Sequence, residues 1–170
     1  VPQQIAAGDI YPALEKGAID AAEWIGPFDD EKLGFVKVAK YYYAPGWWEP
    51  NSMGHMIVGQ KAWDALPKEY QAAYLAACGD SVAYTMAKYD HLNPIALRKL
   101  VASGAQLRSF SRGVMDACYK AAQEQYSEWS NKVPEFKSLY TSYSKAQSEL
   151  TQWFRIAEGT YDNYMASRRG

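Results

Sequence analysis

Cysteine and histidine are scarce in this chain of 170 residues. Its two cysteines, Cys78 and Cys118, are too few for a zinc cage or a disulfide framework, so they form either one disulfide or two buried thiols. Its two histidines, His55 and His91, belong to no Ser-His-Asp or Cys-His arrangement, and its scattered glycines form no phosphate-binding loop. These residues give little support for nucleophilic catalysis, which favours a protein without enzymatic activity.

An excess of charge and long apolar runs are also missing. The 18 basic and 19 acidic side chains leave a net charge of -1, which argues against a nucleic-acid-binding protein. No apolar run approaches the about 20 residues that a membrane-spanning helix needs. The sequence starts at Val1-Pro2 without a methionine or a basic and apolar leader, which suggests a processed chain or a fragment.

Aromatic residues, in contrast, are abundant. The chain has 14 Tyr, 6 Trp and 5 Phe, while its hydrophobic content of 48% is ordinary for one globular domain or a large piece of a bigger protein. The core of such a domain does not need so many aromatic side chains. Some of them are therefore expected to line a concave surface or an interface.

The part of the chain before residue 60 has mixed, irregular patterns. A short helix is predicted to begin at Asp9 and to end at Gly17. Short apolar runs predict strands over residues 18–24, 41–43 and 52–58. The acidic residues Asp29, Asp30 and Glu31 stand where the helix dipole favours them, at the start of a second helix that is expected to reach Val38.

Helical periodicity dominates after residue 60. Apolar residues from Trp63 to Tyr89 predict one helix with a buried stripe, which Asn93-Pro94 ends. A shorter helix over residues 95–101 and a strand over residues 105–110 follow. Ser111 is then predicted to cap another helix.

Residues 136–165 keep a stripe of large apolar side chains at helical spacing. One helix of this length would be about 45 Å long, against a diameter of about 40 Å for a compact domain of this size. Such a helix cannot easily bury its aromatic residues within one chain, so we expect a homodimer or a contact with a missing part of the protein. The alternative is a helix that kinks near Gly159 and folds back.

The densest group of polar and aromatic residues follows two of the predicted strands. Ligands bind beyond the carboxyl ends of strands in open α/β sheets. The carbonyl of Trp24, the carboxylate of Glu49 and the rings of Trp47 or Trp48 are therefore expected to surround one cleft. Oxygen ligands suit a hard cation such as Na⁺ or Ca²⁺, which could bridge to an anionic small ligand. Buried aromatic residues beside a solvated Glu49 are the alternative interpretation.

Two motifs resemble those of the extracytoplasmic solute-binding proteins of TRAP transporters, the DctP-like family. Residues 8–24 read GDIYPALEKGAIDAAEW, which is similar to a helix-and-strand motif of that family, and residues 60–67 read QKAWDALP, which is similar to the start of its long helix. Residues 23–27, 41–43 and 48–50 resemble the branch that binds 2-oxo acids and related monocarboxylates with a metal ion.

The resemblance implies a helix-rich α/β fold, with one or more partial lobes of the type II periplasmic-binding-protein kind and short strands. Residues 1–135 would be the C-terminal part of the two-lobed fold. Residues 136–170 would form a long C-terminal helix that dimerises or swaps into a second protomer. The arginine that clamps the carboxylate in this family lies upstream of the motif and is absent from this sequence.

The resemblance also implies roles for individual residues. Trp24, through its carbonyl, and Glu49, through its carboxylate, would bind the metal, with Glu23 as an alternative oxygen donor that strand alternation would turn away. The ring of Trp24 would lie near the substrate. Tyr43, Trp47 and Trp48 would form pocket walls.

The expected function is therefore a periplasmic binding protein. It would capture a small organic acid, a 2-oxo or 2-hydroxy monocarboxylate, together with Na⁺ or Ca²⁺ and deliver the acid to the membrane permease subunits of a TRAP transporter. The alternative function is a helical dimerisation module that binds no ligand. A lyase or isomerase that uses Glu49 and His55 is a third interpretation, which lacks a group to orient either residue.

Overall fold

The computed structural model describes residues 1–48, 52 and 54–168. The chain forms two compact units, Val1–Phe110 and Ser111–Gly170. The helices and strands of the first unit are α1 (Ala7–Glu15), α2 (Pro27–Leu33), a short 3-10 turn (Phe35–Lys37), β1 (Tyr41–Ala44), α3 (Gln60–Ala65), α4 (Lys68–Ala102) and β2 (Gln106–Ser109). The division that we predict after residue 135 concerns the family fold and stays a prediction.

The sheet of the first unit has two parallel strands within the described residues. Tyr41 lies opposite Gln106 and Ala44 lies opposite Ser109, and the Gln106 N–H donates to the Lys40 carbonyl at 2.7 Å. Parallel strands need a long crossover, which α3 and α4 provide here. The strands predicted over residues 41–43 and 105–110 are thereby confirmed.

Two other predicted strands are wrong. Residues 18–24 and the described part of residues 52–58 have irregular backbone. Their apolar composition is typical of strands, but a strand also needs a neighbour to pair with its N–H and carbonyl groups. In the described part of this unit, β1 and β2 pair only with each other.

Helix α4 does not stop at Asn93-Pro94, as we predicted from the sequence. It runs without interruption over 35 residues, because Ala96 and Leu100 bury their side chains beyond the proline, with 3% and 2% exposure. The side-chain oxygen of Asn93 instead accepts a hydrogen bond of 3.1 Å from the N–H of Phe28 in the first turn of α2. Asn93 therefore caps a neighbouring helix, while packing compensates the hydrogen bond lost at Pro94.

The buried stripe predicted along α4 is only partly formed. A helix of this length spans about 52 Å, whereas the seven residues of its partner α2 span about 10 Å. The large side chains on the first half of α4 are exposed: Tyr70 61%, Leu75 62%, Val82 60%, Tyr84 66% and Met86 63%. The prediction of burial was wrong for Tyr70, Val82 and Met86.

The second unit contains three helices in its described part: α5 (Arg112–Lys132), α6 (Pro134–Ile156) and α7 (Glu158–Ser167). Ser111 caps α5 as predicted, because its hydroxyl accepts a hydrogen bond of 3.3 Å from the Val114 N–H. Helices α5 and α6 form a hairpin in which the rings of Tyr126 and Tyr140 lie 4.8 Å apart. None of the described helices of either unit is both long and apolar enough to span a membrane.

The single long helix that we predicted over residues 136–165 is interrupted at Ala157. The backbone of Ala157 has φ -73 and ψ -92, which ends α6, and α7 begins with the next residue. At Gly159 an added Cβ atom would lie 3.1 Å from the Phe154 carbonyl oxygen, so this bend favours a glycine. The alternative of a kink near Gly159 is therefore the observed one, and α6 alone is about 35 Å long.

Candidate functional site

Trp24 lies in the irregular segment between α1 and α2, where its side chain is half-buried. It lines a small cavity of about 70 Å³ together with Asp30, Tyr42 and several apolar residues of α1, α4 and the 3-10 turn. Pockets for small ligands usually enclose about 300–1,000 Å³. This cavity is therefore too small to be a complete binding pocket by itself.

Asp30 is the only buried acidic residue in the described part of the chain, with 7% exposure. The Tyr42 hydroxyl on β1 donates a hydrogen bond of 2.5 Å to its Oδ2 atom. Burial raises the pKa of the Asp30 carboxyl above its ordinary value, although the hydrogen bond from Tyr42 opposes the shift. Burial and the Asp30 carboxylate likewise raise the pKa of Tyr42.

The second oxygen of Asp30, Oδ1, is buried and has no hydrogen-bond partner among the described residues. The backbone N–H groups of Ile25 and Gly26 approach the carboxylate and help to lower its pKa, but neither reaches normal hydrogen-bond geometry. A buried carboxylate oxygen without a partner is uncommon in proteins.

Three of the predicted site residues form one aromatic cluster with Phe110. The ring of Phe110 lies 5.1 Å from that of Tyr43 and 6.1 Å from that of Trp48. Trp47 packs perpendicular to Trp48 at 5.4 Å. Tyr43, Trp47 and Trp48 keep 51%, 42% and 44% of their surface exposed, so their rings can still contact a ligand.

Phe110 was not predicted as a site residue. It directly follows β2, the parallel neighbour of β1, so it lies beyond the same end of the sheet as Trp47. The rule that placed the site at the carboxyl ends of strands applies to Phe110 as well. The pairing of residues 41–43 with residues 105–110 was the missing information.

The structure brings Tyr43, Trp47 and Trp48 together but shows no ring contact between Trp24 and this cluster in the described residues. Successive residues of a strand face opposite sides, so Tyr42 points to Asp30 while Tyr43 points to Phe110. Glu49 lies outside the described residues. Its predicted convergence with Trp24 therefore stays a prediction.

Trp24 and Glu23 are the two predicted oxygen ligands that lie within the described residues. No backbone or side-chain group of the described residues donates a hydrogen bond to the Trp24 carbonyl. The neighbouring Glu23 is exposed, and its segment is not a strand, so strand alternation no longer turns this carboxylate away from Trp24. Residues 1–48, 52 and 54–168 contain no cluster of three His, Cys, Asp or Glu side chains that could hold a metal ion.

Cys78 and Cys118 are free thiols, and both are half-buried. The structure thus favours two thiols over one disulfide. Neither thiol belongs to the candidate site.

A sequence model of the bacterial extracellular solute-binding protein family 7 matches residues 1–132. The chain belongs to this family. Its members bind solutes and are not known as a family of enzymes, and the resemblance seen in the two sequence motifs is confirmed.

One curated relative is the monocarboxylate 2-oxoacid-binding periplasmic protein of Nostoc sp., which is 41% identical over 165 residues, or 97% of this chain and 45% of the relative. A solute-binding protein of Chromohalobacter salexigens is 25% identical over 85% of this chain and 41% of its own length. The chain therefore spans less than half the length of these curated relatives.

Two solved structures of family members are similar to this chain. A TRAP transporter solute-binding protein of Bordetella bronchiseptica is 56% identical with a TM-score of 0.91, over 98% of this chain and 50% of that protein. It is a mixed-occupancy dimer with one site that holds copurified calcium and picolinate and one empty site. A TRAP periplasmic solute-binding protein of Pseudoalteromonas atlantica, with bound sodium and pyruvate, is 30% identical with a TM-score of 0.85, over 95% of this chain and 50% of that protein.

Proposed function

We propose that this chain is part of a periplasmic solute-binding protein that captures a small 2-oxo or related monocarboxylic acid together with Na⁺ or Ca²⁺. The observation that carries the proposal is the half-exposed aromatic cluster of Tyr43, Trp47, Trp48 and Phe110 at the end of the sheet. Flat rings can pack against the planar face of a 2-oxo acid. The two cations expected from the sequence are those that the similar structures contain.

In this proposal the cation lies between the carboxylate of the acid and the oxygen atoms of the protein. The Trp24 carbonyl and the Glu49 carboxylate supply two of these oxygens, and Glu23 is a further candidate. A cation held in this way offsets the cost of burying an anionic ligand. The chain itself binds and orients the acid and catalyses no reaction.

The remainder of the site comes from the other half of a two-lobed protein. This chain covers 50% of each of the two similar structures, and its 70 Å³ cavity is too small for a whole pocket. The second lobe would supply the arginine that clamps the carboxylate, and the lobes would close on the ligand by a hinge. The loaded protein would then deliver the acid to the TRAP membrane permease.

A calorimetric titration of the full-length protein with pyruvate tests the proposal. We expect pyruvate to bind when Ca²⁺ or Na⁺ is present in excess over the protein. We expect no measurable binding after a chelator has removed Ca²⁺ and choline has replaced Na⁺. Picolinate serves as a second planar carboxylate. Acetate is the control, because it has neither the 2-oxo oxygen of pyruvate nor the ring nitrogen of picolinate. Equal binding of pyruvate with and without the cations would exclude the proposed metal bridge.

The exposed apolar surface of the second unit indicates a further role in self-association. Helices α6 and α7 expose many large apolar side chains, namely Leu139 74%, Tyr143 61%, Trp153 61%, Phe154 45%, Tyr161 64% and Tyr164 55%. A surface of this kind is typical of an interface. We propose that it mediates homodimerisation.

Light scattering on two neighbouring arginine variants tests the dimer. The Trp153→Arg variant should have half the mass of the unmodified protein, because a charge replaces an exposed apolar ring on α6. Gln152→Arg adds the same charge at the adjacent, already polar position, so it should leave the mass unchanged. A monomeric unmodified protein, or an unchanged mass in Trp153→Arg, would contradict this role.

A further inference from the structure

We propose that Asp30 is a positioning residue for the cation and acid, and that it holds the backbone on both sides of the candidate site in place. The inference rests on the proposed function, since it assigns a supporting residue to that site. Three observations carry it: the position of Asp30 beside the Trp24–Gly26 turn, its hydrogen bond to β1, and its unpartnered oxygen.

The first observation connects Asp30 with the carbonyl of Trp24. Helix α2 begins at Pro27, so Asp30 lies one turn into the helix and its carboxylate faces back to the N–H groups of Ile25 and Gly26. The Ile25 N–H and the Trp24 carbonyl are two ends of the same planar trans peptide group, and they point in opposite directions. A carboxylate that attracts this N–H therefore directs the Trp24 carbonyl away from α2.

The same contact also makes the carbonyl a better ligand. An anionic group near the N–H end polarises the peptide and increases the negative charge on its oxygen. Groups that orient and polarise metal ligands in this way typically change metal affinity by about 10–100-fold. The Trp24 carbonyl is then fixed and strengthened before the cation arrives.

The second observation connects Asp30 with the aromatic cluster. Its Oδ2 atom accepts the 2.5 Å hydrogen bond from Tyr42, and the next residue of β1 is Tyr43, whose ring packs on Phe110. One buried carboxylate thus joins the segment that carries the Trp24 carbonyl to the strand that carries the aromatic cluster.

The third observation is that the buried carboxylate of Asp30 is incompletely satisfied, although the dipole of α2 and the Tyr42 hydroxyl favour it. Asp30 is 93% buried and its Oδ1 has no partner in the described residues, which is costly for a charged group. The charge of this carboxylate polarises the Trp24 peptide more strongly than a neutral asparagine would.

A matched pair of tyrosine variants separates positioning from general support. Tyr42 and Tyr89 are both half-buried, and each donates one hydrogen bond to an acidic residue of α2, Tyr42 to Asp30 at 2.5 Å and Tyr89 to Asp29 at 2.9 Å. Only the first bond belongs to the proposed support of the site. Tyr42→Phe and Tyr89→Phe each remove a single oxygen atom, so both variants are expected to fold.

The experiment measures Ca²⁺ affinity of the full-length protein at saturating pyruvate, together with urea unfolding at pH 7. We expect about tenfold weaker Ca²⁺ binding in Asp30→Asn and about fivefold weaker binding in Tyr42→Phe. Tyr89→Phe should remain within about twofold of the unmodified protein. The unfolding midpoints of Tyr42→Phe and Tyr89→Phe should fall by similar amounts, because each substitution removes one hydrogen bond to an acidic residue of α2, whereas a merely structural role predicts that affinity follows stability.

Hydrogen exchange at the Ile25 amide gives an independent readout. Exchange should be faster in Asp30→Asn and Tyr42→Phe than in Tyr89→Phe, because only the first two loosen the peptide group that bears the Trp24 carbonyl. Equal Ca²⁺ affinity in the two tyrosine variants, or affinities of the two that fall in parallel with their unfolding midpoints, would overturn the inference. If the unmodified protein binds no Ca²⁺ with pyruvate, the proposed function fails first and the inference fails with it.

Discussion

Replacing Glu49 with glutamine is expected to weaken pyruvate binding by about 100-fold in the presence of Ca²⁺. The substitution keeps the size of the side chain but removes one full negative charge from the proposed cation site. The cation then has fewer anionic oxygen ligands, and the carboxylate of the acid loses the charge that offsets its burial. Calorimetry with the full-length protein at a fixed Ca²⁺ concentration measures the change.

The matched control is Glu15→Gln at the end of α1. Glu15 is exposed and lies outside the candidate site, so the same chemical change there should leave the affinity within about twofold. Unchanged pyruvate binding in Glu49→Gln, measured alongside an intact response to chelation, would remove Glu49 from the site and leave the cation to other oxygens.

The Glu23→Gln variant tests whether a second carboxylate binds the cation. In a strand, Glu23 and Trp24 would face opposite sides, but residues 18–24 do not form a strand. If Glu23 also binds the cation, its substitution should lower the affinity by a factor similar to that for Glu49→Gln. A small effect would show that exposed Glu23 contributes only a screened surface charge.

The sequence was informative where a local pattern and its partner agree. The aromatic run over residues 41–43 and the run over residues 105–110 each had strand character, and they pair with each other in the structure. Ser111 caps α5 because the side-chain oxygen needs only the N–H three residues later. Such features depend on a few neighbouring residues and are therefore accessible without the fold.

Predictions were wrong where a distant contact outweighs the local pattern. Asn93-Pro94 is a typical helix end, yet Asn93 caps α2 from 65 residues away, and the burial of Leu100 keeps α4 helical. Residues 18–24 have the composition of a strand but find no pairing strand in the described residues. The sequence cannot show which of two compatible local structures the rest of the chain will favour.

In the candidate site, too, residues that follow from a local pattern could be predicted, whereas residues that depend on a distant contact could not. Tyr43, Trp47 and Trp48 could be chosen from their position after a predicted strand, and they do lie in one cluster. Phe110 required the pairing of β1 with β2. Asp30 was predicted only as an acidic residue in the first turn of a helix, because nothing in the sequence indicates that Tyr42 reaches it from β1.

Leu100→Ala is expected to destabilise the 170-residue chain by about 2–5 kcal/mol. Leu100 is 2% exposed and belongs to the small apolar core of the first unit, which otherwise consists of Ile10, Ala96 and Ala105 among the described residues. The substitution loses the buried methyl groups and enlarges the cavity of about 70 Å³ that Leu100 already lines. Urea unfolding followed by circular dichroism at 222 nm measures the loss.

Leu75→Ala on the same helix is the control, because it makes the same chemical change at a position that is 62% exposed. In the 170-residue chain it should cost less than about 0.5 kcal/mol. A cost similar to that of Leu100→Ala would mean that the first half of α4 is buried and that the assignment of its exposed face is wrong. In the full-length protein, a larger cost for Leu75→Ala than in this chain would identify the exposed side of α4 as the surface that the rest of the protein covers.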